Sequence, residues 1–147
     1  MSQPEPPFSY EDDPDLPGWK RWSLRDPARF NGVFGPLSVR VDGGTARIRM
    51  TPTLLHSNLS DHVHGGALLG FIDMALFAAS RSFGALDAGV AVTLDLSTQF
   101  ITGATLGTPI EAQVELLRET RRLIFLRGLV VQGEAVVASF SGTIRKP

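Results

Sequence analysis

A chain of 147 residues, 43% of them hydrophobic, can bury one sizeable core and is too short for two ordinary domains. It has no cysteine, which excludes disulfide scaffolds, thiolate metal sites and thiol nucleophiles together. Net charge is −1, but Glu5, Glu11, Asp12, Asp13 and Asp15 all precede the first basic residue, Lys20; the remainder sets 14 basic against 10 acidic residues, a body of +4 that suits an anionic ligand and falls far short of a nucleic-acid footprint.

Residues 1 to 18 hold five of the ten prolines and little apolar matter. They cannot repay the entropy of ordering, so an acidic, disordered tail is expected ahead of a single domain over residues 19 to 147. The tail lacks the basic stretch and apolar run of a secretory signal. The most apolar stretch, Gly66 to Ala79, is shorter than the roughly 20 residues a membrane span needs, and it contains Asp73. A cytoplasmic protein with neither a membrane nor a nucleic-acid partner is expected. Trp19, Trp22, Phe30 and Phe34 suggest a short helical or irregular lead-in packed on the body.

Leu37 to Val41 and Thr45 to Thr51 flank Asp42-Gly43-Gly44, and Ala46, Ile48 and Met50 alternate with Arg47 and Arg49, the pattern of a β-hairpin. A polar loop, Leu54 to Val63, leads through Gly65-Gly66 into a helix ending at Ser82, apolar on every face. Such a helix is buried on all sides. Four extended runs follow, about Val90 to Phe100, Pro109 to Leu117, Leu123 to Gln132 and Ala135 to Arg145, with short connections that favour antiparallel neighbours. One flat sheet would cover only one side of the helix, so the sheet has to curl around it.

Asp73 is the only charged residue between Asp61 and Arg81, and it lies in that helix. Its same-face neighbours Leu69, Gly70, Leu76 and Phe77 cannot pair with it. An unpaired buried carboxylate costs several kcal/mol, so it either faces a pocket where it is used or meets a donor from another element on a wetter side of the helix.

The segment Asn58-Leu-Ser-Asp-His-Val-His64-Gly65-Gly66-Ala-Leu-Leu-Gly-Phe-Ile-Asp73 resembles the Asn, His-Gly-Gly and helical Asp/Glu signature of hotdog-fold acyl-CoA thioesterases of the phenylacetate-pathway and 4-hydroxybenzoyl-CoA types. The likeness continues through Gly89 to Phe100 and takes in Gly142-Thr143, covering about residues 33 to 145. It implies an α+β hotdog, an antiparallel sheet of five to six strands wrapped around one long buried helix. The implied reaction is hydrolysis of a small aromatic or short- to medium-chain acyl-CoA. Asp73 would act as base or nucleophile, the Gly65 amide as oxyanion donor, Asn58 would hold the water or carbonyl, and His64 would orient the loop or carbonyl. Thr93 matches a Ser/Thr that supports the attacking water or carboxylate across a subunit interface. Gly66 would join the substrate site, and a homodimer or homotetramer is implied. Asp61, where relatives often have Gly, and His62 depart from the pattern and leave the fine substrate preference open.

His56, His62, His64, Asp61 and Asp73 match no standard metal spacing and Gly65-Gly66 is no dinucleotide or phosphate-binding fingerprint, so neither a metal nor an organic cofactor is expected; the lack of a Gly-x-Ser-x-Gly elbow argues against a serine hydrolase. Arg121 and Arg122 sit in a turn between two strands. That is ordinarily a solvated hairpin, but in a hotdog it can approach the coenzyme's phosphates. Two other readings keep the fold: a noncatalytic acyl-CoA binder and a hotdog dehydratase.

Overall fold

The computed structural model describes residues 5–87 and 90–147. Pro4 of the expected tail and Gly89 at the start of the matched strand segment lie outside the described residues. Among the described residues eight strands form one antiparallel sheet: β1 (Phe8–Asp12), β2 (Lys20–Leu24), β3 (Leu37–Asp42), β4 (Thr45–Met50), β5 (Val92–Phe100), β6 (Ile110–Glu119), β7 (Leu123–Gln132) and β8 (Ala135–Arg145), in the order β1-β2-β3-β4-β6-β7-β8-β5. The one α-helix among them, α1 (Gly65–Ser82), lies between β4 and β5 in sequence and packs on the inner face of the sheet.

The alternation read from the sequence sets which side chains meet that helix. Val39, Ala46, Ile48, Ala112, Val114, Ile124 and Leu126 are buried, and on α1 they meet Leu68, Phe71, Ile72, Ala75, Leu76 and Ala79. Each fully buried large apolar side chain contributes about 1.5–3 kcal/mol of transfer free energy, so this interface is what holds the helix in place. Gly142 on β8 lets the helix come close, because a β-carbon there would fall 2.4 Å from Leu76 Cδ1.

The wrapped-helix architecture, the 37–50 hairpin and the four later strands fall where the sequence places them, but the sheet has eight strands and not five to six. The extra pair corrects the expectation of a tail for the described part of residues 1 to 18. Strand β1 lies inside that stretch and pairs with β2, setting Phe8 against Leu24 and Tyr10 against Trp22. Its acids have partners further along the chain: Lys20 binds Asp12 at 2.6 Å, and Arg21 binds Asp13 at 3.1 Å and Asp15 at 2.8 Å. The backbone N–H of Asp15, the Ser38 hydroxyl and Arg21 hold the buried Asp13 carboxyl below the usual range. The lead-in is thus a strand, β2, followed by a 3-10 turn at Phe30–Phe34.

The helix is also less enclosed than its apolar sequence suggests. Leu69, Gly70, Asp73, Phe77 and Arg81 make a half-buried stripe, while the flanking positions are buried. The 3-10 turn packs on this stripe at Gly70, where a β-carbon would lie 2.5 Å from the Phe34 ring. No helix among the described residues is long and apolar enough to cross a membrane.

Candidate active site

Asp73 lies midway along the half-buried stripe and lines a pocket of about 240 Å³. Its partner comes from β5, where the Thr93 hydroxyl donates to Asp73 Oδ1 at 2.6 Å. A register shift between Thr93 and Asp95 makes this contact possible. In a regular strand Thr93 and Leu96, three residues apart, would face opposite sides of the sheet. With the extra residue both turn inward and are half-buried, the kind of re-aiming a β-bulge supplies. The contact is made within one chain.

The other signature residues cluster at the start of α1. His64 is the helix N-cap, and its Nδ1 accepts the Gly66 amide at 2.8 Å. Acceptance at Nδ1 places the neutral ring's proton on Nε2, free to donate outward. The Gly66 amide is therefore occupied, whereas the Gly65 amide meets no acceptor among the described residues, and the helix dipole adds partial positive charge there. A β-carbon on Gly65 would make only ordinary contact with Phe100, 3.6 Å away, so the protomer itself does not demand glycine. Asn58 Oδ1 accepts the backbone N–H groups of Ser60 (2.9 Å) and His62 (3.1 Å). Its carbonyl oxygen is spent on shaping the loop, and only the side-chain NH₂ remains to hold a water or carbonyl. Asp61 sits in that loop at φ 57°, the left-handed region that a glycine would occupy without strain.

Gly65 and Asp73 do not meet within one chain. Eight residues of helix separate them by about 12 Å, too far for both to touch one thioester. The three histidines are also dispersed in role. His56 is buried, accepts the Thr53 amide at Nδ1 and lies 2.7 Å from the Val33 carbonyl, and His62 Nδ1 lies 2.8 Å from the Ser60 carbonyl. Among the described residues no three His, Asp or Glu side chains are grouped to hold a metal ion.

Arg121 and Arg122 are exposed in the β6–β7 turn, with no carboxylate at ion-pair distance among the described residues. The register carries this end of β7 through Arg145 of β8 to Val92 of β5, so the turn lies at the same end of the sheet as Thr93. Sequence reasoning missed Arg81 on the helix side of the Asp73 pocket and the wall formed by Phe8 and Trp22 of the β1–β2 hairpin. The four-residue spacing of Asp73, Phe77 and Arg81 on one helix face was a usable signal for Arg81. Nothing in the sequence pointed to the hairpin.

A helix wrapped by an antiparallel sheet, with a capped His-Gly-Gly start and an acid two turns on, defines a hotdog-fold protein. The model of the thioesterase superfamily matches residues 61–139, from the strained Asp61 into β8. The chain belongs to that superfamily and is a thioester hydrolase of the PaaI-like kind. TT0310 protein of Thermus thermophilus is 30% identical, with 84% of this chain and 100% of that one covered and a TM-score of 0.68. A mutant of the phenylacetic acid degradation protein PaaI of the same organism is 28% identical over 83% of this chain and 100% of its own, with a TM-score of 0.67. A hypothetical thioesterase protein of Streptococcus pneumoniae, solved with coenzyme A, shares the fold at 19% identity, 74% and 84% coverage and a TM-score of 0.65. Comparison with curated protein sequences gives no match.

Proposed function

We propose that the protein hydrolyses a small aromatic or short- to medium-chain acyl-CoA to the free acid and coenzyme A, at a site shared by two subunits in the cytoplasm. The observation that carries this reading is the Asp73 carboxylate, held by Thr93 at 2.6 Å on the wall of a pocket of about 240 Å³. One Asp73 oxygen is oriented by the hydroxyl and the other is left for the reacting atoms. As a base it takes a proton from water as the water's oxygen attacks the thioester carbonyl carbon; as a nucleophile it attacks that carbon itself. In either case the carbonyl oxygen becomes an oxyanion, and its collapse breaks the C–S bond and expels the coenzyme thiolate; on the nucleophilic route the acyl group is left on Asp73 as an anhydride, which water then hydrolyses to the free acid and the restored carboxylate.

The oxyanion needs donors, and the Gly65 amide and His64 Nε2–H are available at a helix start. The separation of about 12 Å along the helix favours a second copy as their source, one subunit's loop 58–65 meeting the partner's Asp73 and Thr93. Strand β5 supports such pairing. It is a sheet edge with Val92, Leu94 and Phe100 exposed, and an unpaired edge of this kind invites a second strand. A homodimer is the minimal unit, and a homotetramer of two such pairs fits the same reading. Arg121 and Arg122 stand where they can receive the coenzyme's phosphates, with their donors unspent on carboxylates.

Thiol release from a panel of acyl-CoAs tests the reaction, and absence of release from every member overturns it. Coexpression tests the shared site. Asp73→Asn and Gly65→Val chains, each inactive alone, regain activity when mixed in one dimer, because one of the two sites then receives both intact halves. A mixture that stays inactive contradicts the sharing.

A further inference from the structure

Asp73, Phe77 and Arg81 follow one another at four-residue spacing along α1 and line the pocket from one end to the other. Across from them stand Phe8 and Trp22, edge to face at 5.4 Å between ring centroids. The Arg81 guanidinium lies 4.4 Å from the centre of the Phe8 ring, and its Nη1 donates to the Asp87 carbonyl at 2.8 Å. Its other donors have no acceptor among the described residues, and no carboxylate there lies within ion-pair distance of it. Asp87, whose charge acts on it, is exposed. Burial lowers the Arg81 pKa, which marks a cation drawn away from water. The indole Nε1 of Trp22, in the same wall, is also buried without a partner among the described residues.

We infer that this pocket takes a short acyl group ending in a carboxylate, which Arg81 receives while Phe8 and Trp22 flank the chain. The substrate class is the coenzyme A thioester of a short dicarboxylic acid. The inference rests on the thioesterase reading of Asp73 and narrows it. Three features support it. The pocket, at about 240 Å³, is smaller than the roughly 300–1,000 Å³ of sites for drug-sized ligands, so it suits a short acyl group. Asp73 and Arg81 stand about 12 Å apart along the helix, a span that a short acyl chain with a carboxylate at its far end can bridge together with the two side chains. The charges are opposite at the two ends. A terminal carboxylate is repelled from Asp73 and held by Arg81, which fixes the orientation, whereas a neutral acyl group leaves the half-buried guanidinium without a carboxylate in the pocket.

Thiol release from glutaryl-CoA and pentanoyl-CoA, matched in carbon number, provides the test. The parent protein is expected to favour glutaryl-CoA by at least about tenfold in kcat/KM. Arg81→Met is expected to bring that ratio below one, and Arg81→Lys to keep part of it. Arg127→Met removes an exposed cation outside this pocket and holds the ratio. A parent that prefers pentanoyl-CoA, or an Arg81→Met protein with the parent's ratio, overturns the inference, as does an equal fall in Arg127→Met. Asp73-dependent hydrolysis of neutral acyl-CoAs without this preference leaves the thioesterase reading standing. Absence of hydrolysis of any acyl-CoA overturns both.

Discussion

The Thr93 hydroxyl donates to Asp73 Oδ1 at 2.6 Å, and among the described residues the carboxylate has no other side-chain partner. The bond fixes which carboxylate oxygen faces the pocket. It depends on a strand irregularity of a single residue. Thr93→Ala is expected to lower kcat about ten- to a hundredfold, as loss of positioning does, with little change in KM. Thr93→Ser keeps the donor and most of the activity. Because Asp73 is only half-buried, folding stability should change by no more than about 1 kcal/mol, measurable by denaturant unfolding.

Gly65→Ala separates the needs of the fold from those of the chemistry. The added methyl meets Phe100 at ordinary contact distance, and alanine favours the helix, so the variant should melt at or above the parent temperature. The methyl stands where the thioester must approach the Gly65 amide, and kcat/KM is expected to fall about a hundredfold. Unchanged turnover would remove Gly65 from the site.

Asp61 adopts φ 57° in the loop that carries Asn58 and leads to His64. Asp61→Gly relieves the strain of a side chain in the left-handed region but adds freedom to the unfolded chain. The net expectation is a stabilisation of less than about 1 kcal/mol. Thermal melting and thiol release measure the two effects, and turnover should stay within a few-fold of the parent.

Glu111 is buried between β4 and β6 and binds Arg49 at 2.7 Å and Arg47 at 3.0 Å. Burial alone would raise its pKa; hydrogen bonds from Gln113, Arg47 and Arg49 outweigh burial and hold the carboxyl below its ordinary 4.5. A lowered folded-state pKa means that the contribution to stability is fully present above about pH 4.5 and is lost as the pH falls below it. Glu111→Gln should cost about 1–2 kcal/mol at neutral pH, given that both arginines are partly solvent-exposed. It should also flatten the fall in stability between about pH 5 and pH 3, as followed by unfolding across that range.

The core of the fold was legible because hydrophobic periodicity states it directly. Ala46, Ile48 and Met50 alternate, and the run from Gly66 to Ala79 is too apolar for a surface helix. The signature from Asn58 to Asp73 was legible as a spacing. Its division into two clusters about 12 Å apart was not, because spacing alone does not say that the helix carries Gly65 and Asp73 beyond each other's reach. The β1–β2 hairpin was missed for a different reason. Its acids read as a solvated tail until Lys20 and Arg21 are seen to stand opposite them, and a cross-strand register is not visible in composition. The bulge that turns Thr93 inward has no sequence mark either, since Thr93 and Leu96 read as residues on opposite faces.

The central claim is that Asp73 performs the chemistry, and Asp73→Asn tests it most directly. The amide keeps the shape and can still accept the Thr93 hydroxyl through its carbonyl oxygen, but it removes the base or nucleophile. Thiol release from a hydrolysed acyl-CoA should fall by about two to four orders of magnitude in kcat, with KM little changed. Turnover by Asp73→Asn within a few-fold of the parent would contradict the assignment.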